Sequence, residues 1–136
     1  MSKKRTYLDT GVLVTMALGE EDLVEKGLEI VNDPDREFIV SAFQKLEVLP
    51  KAVYGEHKDE VELYEQFFSS AHYQVKASEH LSDEALTYAK AHGLGGMDAL
   101  HIAAAIQANA DELVTTEKPT KPMHRVTEVK VVSLYE

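Results

Sequence analysis

The stretch that most constrains the fold is residues 93–117, because it joins a buried helix to a short strand with almost no linker. After a glycine cluster, residues 97–108 are apolar on nearly all sides, which predicts a buried helix of about three turns. Asparagine and aspartate at 109–111 end that helix, and residues 112–116 predict a strand with Glu117 at its carboxyl end. In open α/β sheets, ligands bind at that end of the strands.

The rest of the chain alternates predicted strands with predicted helices. Further strands are predicted at residues 6–8, 38–40, 72–76 and 129–134, and helices at 12–18, 23–31, 42–49, 57–69 and 78–91. Pro50 is expected to kink or restart the third of these helices, in which Phe43 and Leu46 should face inward. This alternation is typical of parallel strands joined by right-handed crossovers. The predicted fold class is therefore α/β, a three-layer α/β/α sandwich with a short, mostly parallel sheet.

The composition narrows the class of protein. The chain of 136 residues is 44% hydrophobic and 28% charged, as in ordinary soluble globular proteins, and its length suits one domain over residues 1–136. It has no cysteine, which excludes disulfides, thiolate zinc sites and cysteine nucleophiles. No apolar run approaches the roughly 18 residues that a membrane span needs, so we expect a soluble, cytoplasmic protein with no membrane partner.

The net charge is strongly acidic. The chain has 14 basic and 24 acidic residues, for a formal charge of −10. Such a chain does not coat nucleic acid by broad electrostatic attraction, because that binding depends on lysines and arginines that neutralise many phosphates. If nucleic acid is the substrate, a local basic group or a bound cation must handle its charge.

Four acidic residues share one kind of position, at the end of a predicted strand or in the helix that follows it: Asp9, Glu47, Asp98 and Glu117. Crossovers of one hand bring such positions to the same edge of the sheet, so we expect the four carboxylates to converge. Two unit charges about 4 Å apart repel by about 4 kcal/mol near a protein surface, so this convergence requires compensation. A hard divalent cation with oxygen ligands, Mg²⁺ or Mn²⁺, is the simplest compensator.

Four blocks of the sequence resemble the successive blocks of the PIN-domain family. They are YLDTGVLV at 7–14, VSAFQKLEVL at 40–49, GMDALHIAAA at 96–105 and ADELVTTE at 110–117. No single block is specific, but the ordered set is, and together the blocks extend over nearly the whole chain. The resemblance implies a PIN-like fold and a ribonuclease that depends on Mg²⁺ or Mn²⁺. Many small members of the family are the toxins of toxin–antitoxin pairs.

The resemblance assigns the four acids as catalytic and metal-binding residues. Asp9 and Asp98 are expected to hold the cation directly, and Glu47 partly through water. Glu117 takes the fourth position, where the family more often has Asp. The cation would acidify a water molecule and polarise a phosphoryl oxygen, and Glu47 would orient or deprotonate that water. The products would carry 5′-phosphate and 3′-hydroxyl ends.

Neighbouring residues have expected supporting roles. Thr10 and Thr116 are expected to hold the carboxylates in place by hydrogen bonds. A basic cluster after Glu117 either binds the substrate backbone or is a solvated loop; it comprises Lys118, Lys121, His124 and Arg125. His101 lies one turn beyond Asp98 and has two interpretations. It is a metal ligand or general acid, or it is a packed histidine that supports the site. The second is simpler, because hard cations favour oxygen ligands.

The resemblance also implies partners. RNA would be the substrate, and the chain would form a homodimer. A small antitoxin would place a segment across the acidic cleft, with a basic side chain in the position of the cation. The alternative is a PIN-like domain that has lost catalysis and serves as a binding or assembly module. A rise in melting temperature with added Mn²⁺ or Mg²⁺ would distinguish the two.

Simpler interpretations compete at single positions. Asp98 taken alone is a common type of helix N-cap after glycine. The glycines before it resemble a phosphate-binding loop, but they match neither established glycine-rich motif and follow no strand. The triplet at residues 9–11 also occurs in aspartic proteases, whose β-rich fold and paired triplets do not suit a chain with this much helical periodicity.

Overall fold

All strands of the sheet run parallel. The computed structural model describes residues 2–135, with strands β1 (Lys4–Leu8), β2 (Arg36–Ser41), β3 (Tyr73–Val75), β4 (Glu112–Thr115) and β5 (Lys130–Ser133). Their order in the sheet is β3-β2-β1-β4-β5. Strand β1 lies at the centre, where Thr6 pairs with Phe38 on one side and with Glu112 on the other. The predicted parallel α/β architecture is confirmed.

Helices cover both faces of the sheet. They are α1 (Thr10–Leu18), α2 (Glu21–Val31), α3 (Ala42–Tyr54), α4 (Lys58–Ser69), α5 (Glu79–His92) and α6 (Gly96–Gln107), with a short 3₁₀ helix at Pro122–Arg125. Successive residues of β1 point to opposite faces. Tyr7 joins a core formed with α5 and α6, and Leu8 joins a core formed with α1 to α4. The sheet is therefore the middle of three layers.

Helix α6 is buried as the sequence predicts. Its alanines at 103–105 are at most 2% exposed, and it packs closely on α5. The chain leaves α6 through Asn109, which has a positive φ of 57°, and the Asp111 N–H donates to the Arg5 carbonyl at 2.8 Å. This short connection leads directly into β4, so the first turn of α6 and the end of β4 lie at the same edge of the sheet.

Helix α3 differs from the prediction in its length and its inward face. It continues through Pro50 to Tyr54, and Leu46 is 66% exposed, so the predicted end near residue 49 and the inward position of Leu46 are wrong. The buried face instead includes Gln44, Val48 and Ala52, spaced four residues apart. Proline at 50 leaves the Leu46 carbonyl without its helical donor, and on this exposed side of the helix water can replace it.

Among residues 2–135, no helix is long and apolar enough to cross a membrane.

Candidate active site

Asp9 follows β1 directly and caps α1. Its carboxylate is buried and accepts two hydrogen bonds, from the Thr10 N–H to Oδ1 at 2.9 Å and from the Thr115 hydroxyl to Oδ2 at 2.8 Å. Its own N–H donates to the Val114 carbonyl at 2.8 Å, which ties the end of β1 to β4. Because each oxygen has a donor, the carboxylate plane is fixed, and the remaining lone pairs are available to a ligand.

The hydroxyl that holds Asp9 belongs to Thr115 and not to Thr116, which differs from the prediction. Side chains alternate along β4, and the buried Thr115 is the residue whose hydroxyl reaches β1. The Thr115 hydroxyl also accepts a hydrogen bond from the Glu117 N–H at 3.0 Å. Thr116 lies instead against Gly11, where an added Cβ would overlap the threonine hydroxyl oxygen. A side chain at position 11 would therefore require the Thr116 hydroxyl to move.

Glu47 lies on α3 with its side chain 33% exposed. Its Oε1 accepts hydrogen bonds from His101 Nε2 at 2.5 Å and from the Thr10 hydroxyl at 3.0 Å, so the expected role of Thr10 as a donor to a carboxylate agrees with the geometry. The hydrogen bond from His101 has the largest effect and lowers the pKa of Glu47. Burial acts against it, while the electrostatic attraction of His101 and the Thr10 hydrogen bond add to the lowering. Glu47 is therefore held in its ionised form.

Asp98 lies in the first turn of α6 but does not cap it. Gly95 occupies the N-cap position, and the helix begins at Gly96. Among residues 2–135, no hydrogen-bond donor engages the Asp98 carboxylate. The capping interpretation is therefore excluded, and the half-buried side chain is left without a structural role of that kind.

Asp98 lies within electrostatic range of the other three predicted acids. Burial is the largest cause that raises the pKa of Asp98, followed by the negative charges of Asp9 and Glu117 and, more weakly, Glu47. His101 acts in the opposite direction. The fold thus places Asp98 near carboxylates that are up to 89 residues away in the sequence, and their repulsion of its charge is only partly compensated by His101.

Behind Glu47 lies a set of buried polar residues, of which only His101 is a candidate site residue from the sequence. His101 is 1% exposed, and its Nδ1 is 2.6 Å from the Tyr7 hydroxyl, which in turn is 2.7 Å from the Ser41 hydroxyl. Ser41 and Gln44 form a reciprocal capping box at the start of α3. The spacing Ser-x-x-Gln was the available signal for the capping box. Nothing in the sequence pointed to the contact between Tyr7 and His101, which belong to different elements.

With this geometry established, the family can be assigned. The model of the PIN domain matches residues 6–119 and so includes all four acids. This chain belongs to the PIN-domain family. PIN domains are nucleases that generally use divalent metal ions. Among curated proteins, no sequence matches the chain.

Solved structures share the fold of this PIN domain at low sequence identity. A chain of Rickettsia felis VapBC2 bound to a promoter DNA fragment has a TM-score of 0.71 and 18% identity, over 95% of this chain and 98% of that one. A chain of a Klebsiella pneumoniae toxin–antitoxin complex has a TM-score of 0.70 and 21% identity, over 96% of this chain and 98% of that one. A chain of VapBC-1 from nontypeable Haemophilus influenzae has a TM-score of 0.67 and 16% identity, over 97% of this chain and 99% of that one. The likeness extends over nearly the full length of each chain.

The donor chemistry of this PIN domain fits a hard divalent cation. All four candidate ligands are carboxylates. The pKa of Asp98 is raised first by burial and then by the negative charges of Asp9 and Glu117, which a cation would offset. Within residues 2–135, however, no three acidic or histidine side chains form a ready-made ligand cluster. His101 is not placed as a ligand, because both of its ring nitrogens are already engaged, by Glu47 and Tyr7.

The predicted basic cluster divides into exposed lysines and an engaged arginine. Lys118 and Lys121 are exposed on the loop that follows Glu117. The guanidinium of Arg125 donates to the His92 carbonyl at 3.2 Å, at the carboxyl end of α5. A cation at that end of a helix is favoured by the helix dipole, so the structure gives Arg125 a capping role. His124 is also engaged, through Nε2, by the Glu117 carbonyl at 3.0 Å.

Proposed function

We propose that this PIN-domain protein is a metal-dependent endoribonuclease that cleaves RNA phosphodiester bonds and is the toxin of a toxin–antitoxin pair. The observation that carries the proposal is the position of the half-buried Asp98 near three other acids. In addition to burial, the negative charges of Asp9, Glu117 and Glu47 raise the pKa of Asp98. A structural role could explain one buried acid, but an acid repelled by three others at the ligand-binding edge of a sheet is costly unless a cation is bound there.

Each acid has a separate task in this proposal. Asp9 and Asp98 would hold Mg²⁺ or Mn²⁺ directly, Glu47 would contribute partly through water, and Glu117 would be the fourth ligand. When bound, the cation supplies Lewis-acid chemistry that acidifies water and offsets phosphate charge. Glu47 accepts a proton from, or orients, the attacking water, and its lowered pKa keeps it ionised for that task. The products carry 5′-phosphate and 3′-hydroxyl ends.

The proposed contact with the RNA backbone lies beside the acids. Lys118 and Lys121 follow Glu117 on an exposed loop, so their ammonium groups can meet phosphates flanking the scissile bond. Arg125 is expected to contribute less, because its guanidinium is engaged at the end of α5. With a formal charge of −10, the protein relies on such local contacts, and its affinity for RNA should depend only weakly on salt concentration.

Cleavage of RNA in the presence of Mn²⁺ tests the proposal directly. Asp9→Asn and Asp98→Asn should each reduce the cleavage rate at least about 100-fold, since each removes several kcal/mol of cation-dependent stabilisation. Asp35→Asn is the matched control, because Asp35 is exposed and precedes β2 at the opposite edge of the sheet. Unchanged cleavage by the first two variants would contradict the mechanism, as would products with 5′-hydroxyl ends.

One observation favours the second candidate, a PIN-like binding or assembly module without catalysis. The part of the chain that the structure describes contains no ready-made cluster of three metal ligands. Thermal unfolding with increasing Mn²⁺ or Mg²⁺ separates the two candidates. A nuclease should gain about 2.7 kcal/mol when the free ion is at about 100 times its dissociation constant. An inert module should show no stabilisation.

The proposed protein partners are an antitoxin and a second copy of the chain. The antitoxin is supported by the likeness of the fold to chains of the toxin–antitoxin complexes, over at least 95% of this chain. We expect an antitoxin segment to cross the acidic cleft and to place a basic side chain among the carboxylates, in the position of the cation. Co-expression with the product of the adjacent gene should yield a stable complex and suppress RNA cleavage. Light scattering of the purified chain tests the homodimer by its molar mass. The cytoplasmic location stays a prediction.

A further inference from the structure

A continuous series of buried polar groups reaches Glu47 from the interior of the protein. His101 Nε2 lies 2.5 Å from Glu47 Oε1, and His101 Nδ1 lies 2.6 Å from the Tyr7 hydroxyl. That hydroxyl lies 2.7 Å from the Ser41 hydroxyl. His101, Tyr7 and Ser41 are each at most 1% exposed. Hydrogen bonds in such an environment do not compete with water, so their geometry is strongly determined.

The proton positions in this series follow from the chemistry of its two ends. An ionised carboxylate only accepts, so His101 Nε2 must carry a proton. In the neutral ring Nδ1 is then an acceptor, and the Tyr7 hydroxyl donates to it. Ser41 accepts from the Gln44 N–H at 3.3 Å and has its own proton available for the Tyr7 oxygen. This arrangement satisfies every group in the series with His101 protonated at Nε2.

Glu47 is held asymmetrically by this arrangement. His101 and Thr10 both donate to Oε1, and Oε2 is not needed by either of them. A glutamate on a partly exposed helix face would otherwise sample several rotamers, each with a different oxygen position. The two hydrogen bonds therefore select one oxygen as the group available to a ligand, before any ligand binds.

We propose that His101 is a positioning residue, which holds Glu47 Oε1 so that Oε2 is presented to the cation or its water, and that Tyr7 holds the His101 ring in the tautomer required for this. The expected effect on cation binding rests on the proposed function. The hydrogen bonds that orient Glu47 and His101 do not depend on it. Partners of this kind, which orient a ligand without touching the metal, typically change metal affinity or activity by about 10- to 100-fold when they are removed.

Histidine ¹⁵N NMR of the metal-free protein tests the tautomer. The expected result is a His101 ring protonated at Nε2, and Tyr7→Phe should weaken this preference by removing the partner of Nδ1. A ring protonated only at Nδ1 in the wild-type protein would overturn the proposal, because it cannot donate to Glu47. Identical His101 spectra of the wild-type protein and Tyr7→Phe would overturn the role of Tyr7.

Mn²⁺ affinity, measured from the EPR signal of the free ion, tests the consequence. His101→Leu should weaken binding about 10- to 100-fold, and Tyr7→Phe should weaken it by a smaller factor. His101→Gln keeps an N–H donor on a side chain of similar reach and should recover part of the loss. His72→Leu is the matched control, since His72 accepts from the Phe38 N–H at the opposite edge of the sheet. It should lower the melting temperature without changing Mn²⁺ affinity.

The outcomes separate this proposal from the function on which it depends. If the wild-type protein binds no Mn²⁺ and cleaves no RNA, the proposed function fails, and the His101 tautomer alone decides the positioning role. If the wild-type protein binds Mn²⁺ and His101→Leu binds it equally well, the function stands and the positioning role is refuted. A loss in His101→Leu that His101→Gln does not reduce at all would assign His101 to packing and would also refute the proposal.

Discussion

Replacing Asp98 with asparagine should stabilise the metal-free protein while it impairs cation binding. Asp98 is half-buried, and its pKa is raised first by burial and then by the charges of Asp9 and Glu117. Its ionised form is therefore less favourable in the folded protein than in the unfolded chain. Asparagine has nearly the same shape and no charge, so Asp98→Asn removes this repulsion without creating a cavity. The acid is thus expected to reduce stability in return for function.

The size of this effect follows from the arrangement of charges. Two carboxylates about 4 Å apart repel by about 4 kcal/mol at an effective dielectric constant of about 20, and by proportionally less at larger separations. Partial exposure of Asp98, salt and the opposing influence of His101 reduce the sum, so we expect a net gain of about 1 kcal/mol in the free energy of unfolding. For a chain of this length, that corresponds to a rise in melting temperature of about 3–5 °C.

The pH dependence gives the prediction a definite sign. A carboxyl whose pKa is raised on folding stabilises the protein below its unfolded pKa of about 3.9, and this stabilisation is lost as the pH rises through the folded pKa. The advantage of Asp98→Asn should therefore be complete at pH 7 and should decrease as the pH falls towards 4. Urea unfolding at several pH values, with and without EDTA, measures it.

Two results would refute this reasoning. The first is a metal-free Asp98→Asn protein that is equally or less stable than the wild type at pH 7, with Asp35→Asn as the control for loss of a carboxylate at the opposite edge. The second is a stability difference that stays constant down to pH 4. Saturating Mn²⁺ should reverse the order of stability, because it stabilises the wild-type protein more than the variant.

Three further substitutions and one control test the surroundings of the acids. Thr115→Val should cost about 1–3 kcal/mol of stability by leaving the buried Asp9 oxygen without its donor, and should weaken Mn²⁺ binding about tenfold; Thr116→Val should do neither. Gly11→Ala should cost about 1–3 kcal/mol by overlap with the Thr116 hydroxyl, and an unchanged melting temperature would contradict this. Ser41→Ala should cost about 1 kcal/mol through the lost cap of α3, measured by urea unfolding.

Several features of the fold follow from local rules that can be applied to the sequence alone. The apolar run in α6 predicts burial, because no face of that helix suits water. The alternation of strands and helices predicts a parallel sheet, since parallel strands need crossover connections. The same rule predicts that residues following the strands share one edge, and this is where Asp9, Asp98 and Glu117 lie. Their catalytic roles stay predictions, as do those of the lysines after Glu117.

Other features depend on which side chain reaches a neighbour that is distant in sequence. The donor to Asp9 is Thr115 and not Thr116 because the pleat of β4 turns Thr115 towards β1. The burial of Gln44 in place of Leu46 depends on the Leu8 carbonyl, to which the Gln44 amide donates. Neither distinction can be read from residue type, because both alternatives satisfy the same local pattern.

The pairing of Glu47 with His101 illustrates the general reason. Periodicity and turn chemistry depend on residues that are close in the sequence. The sequence alone therefore specifies the helices and strands and their order. The hydrogen bond between these two side chains spans 54 residues and requires α3, α6 and β1 to be packed at one particular distance and rotation. Only the packed protein defines those quantities, because they result from the balance of all core contacts at once and not from any segment alone.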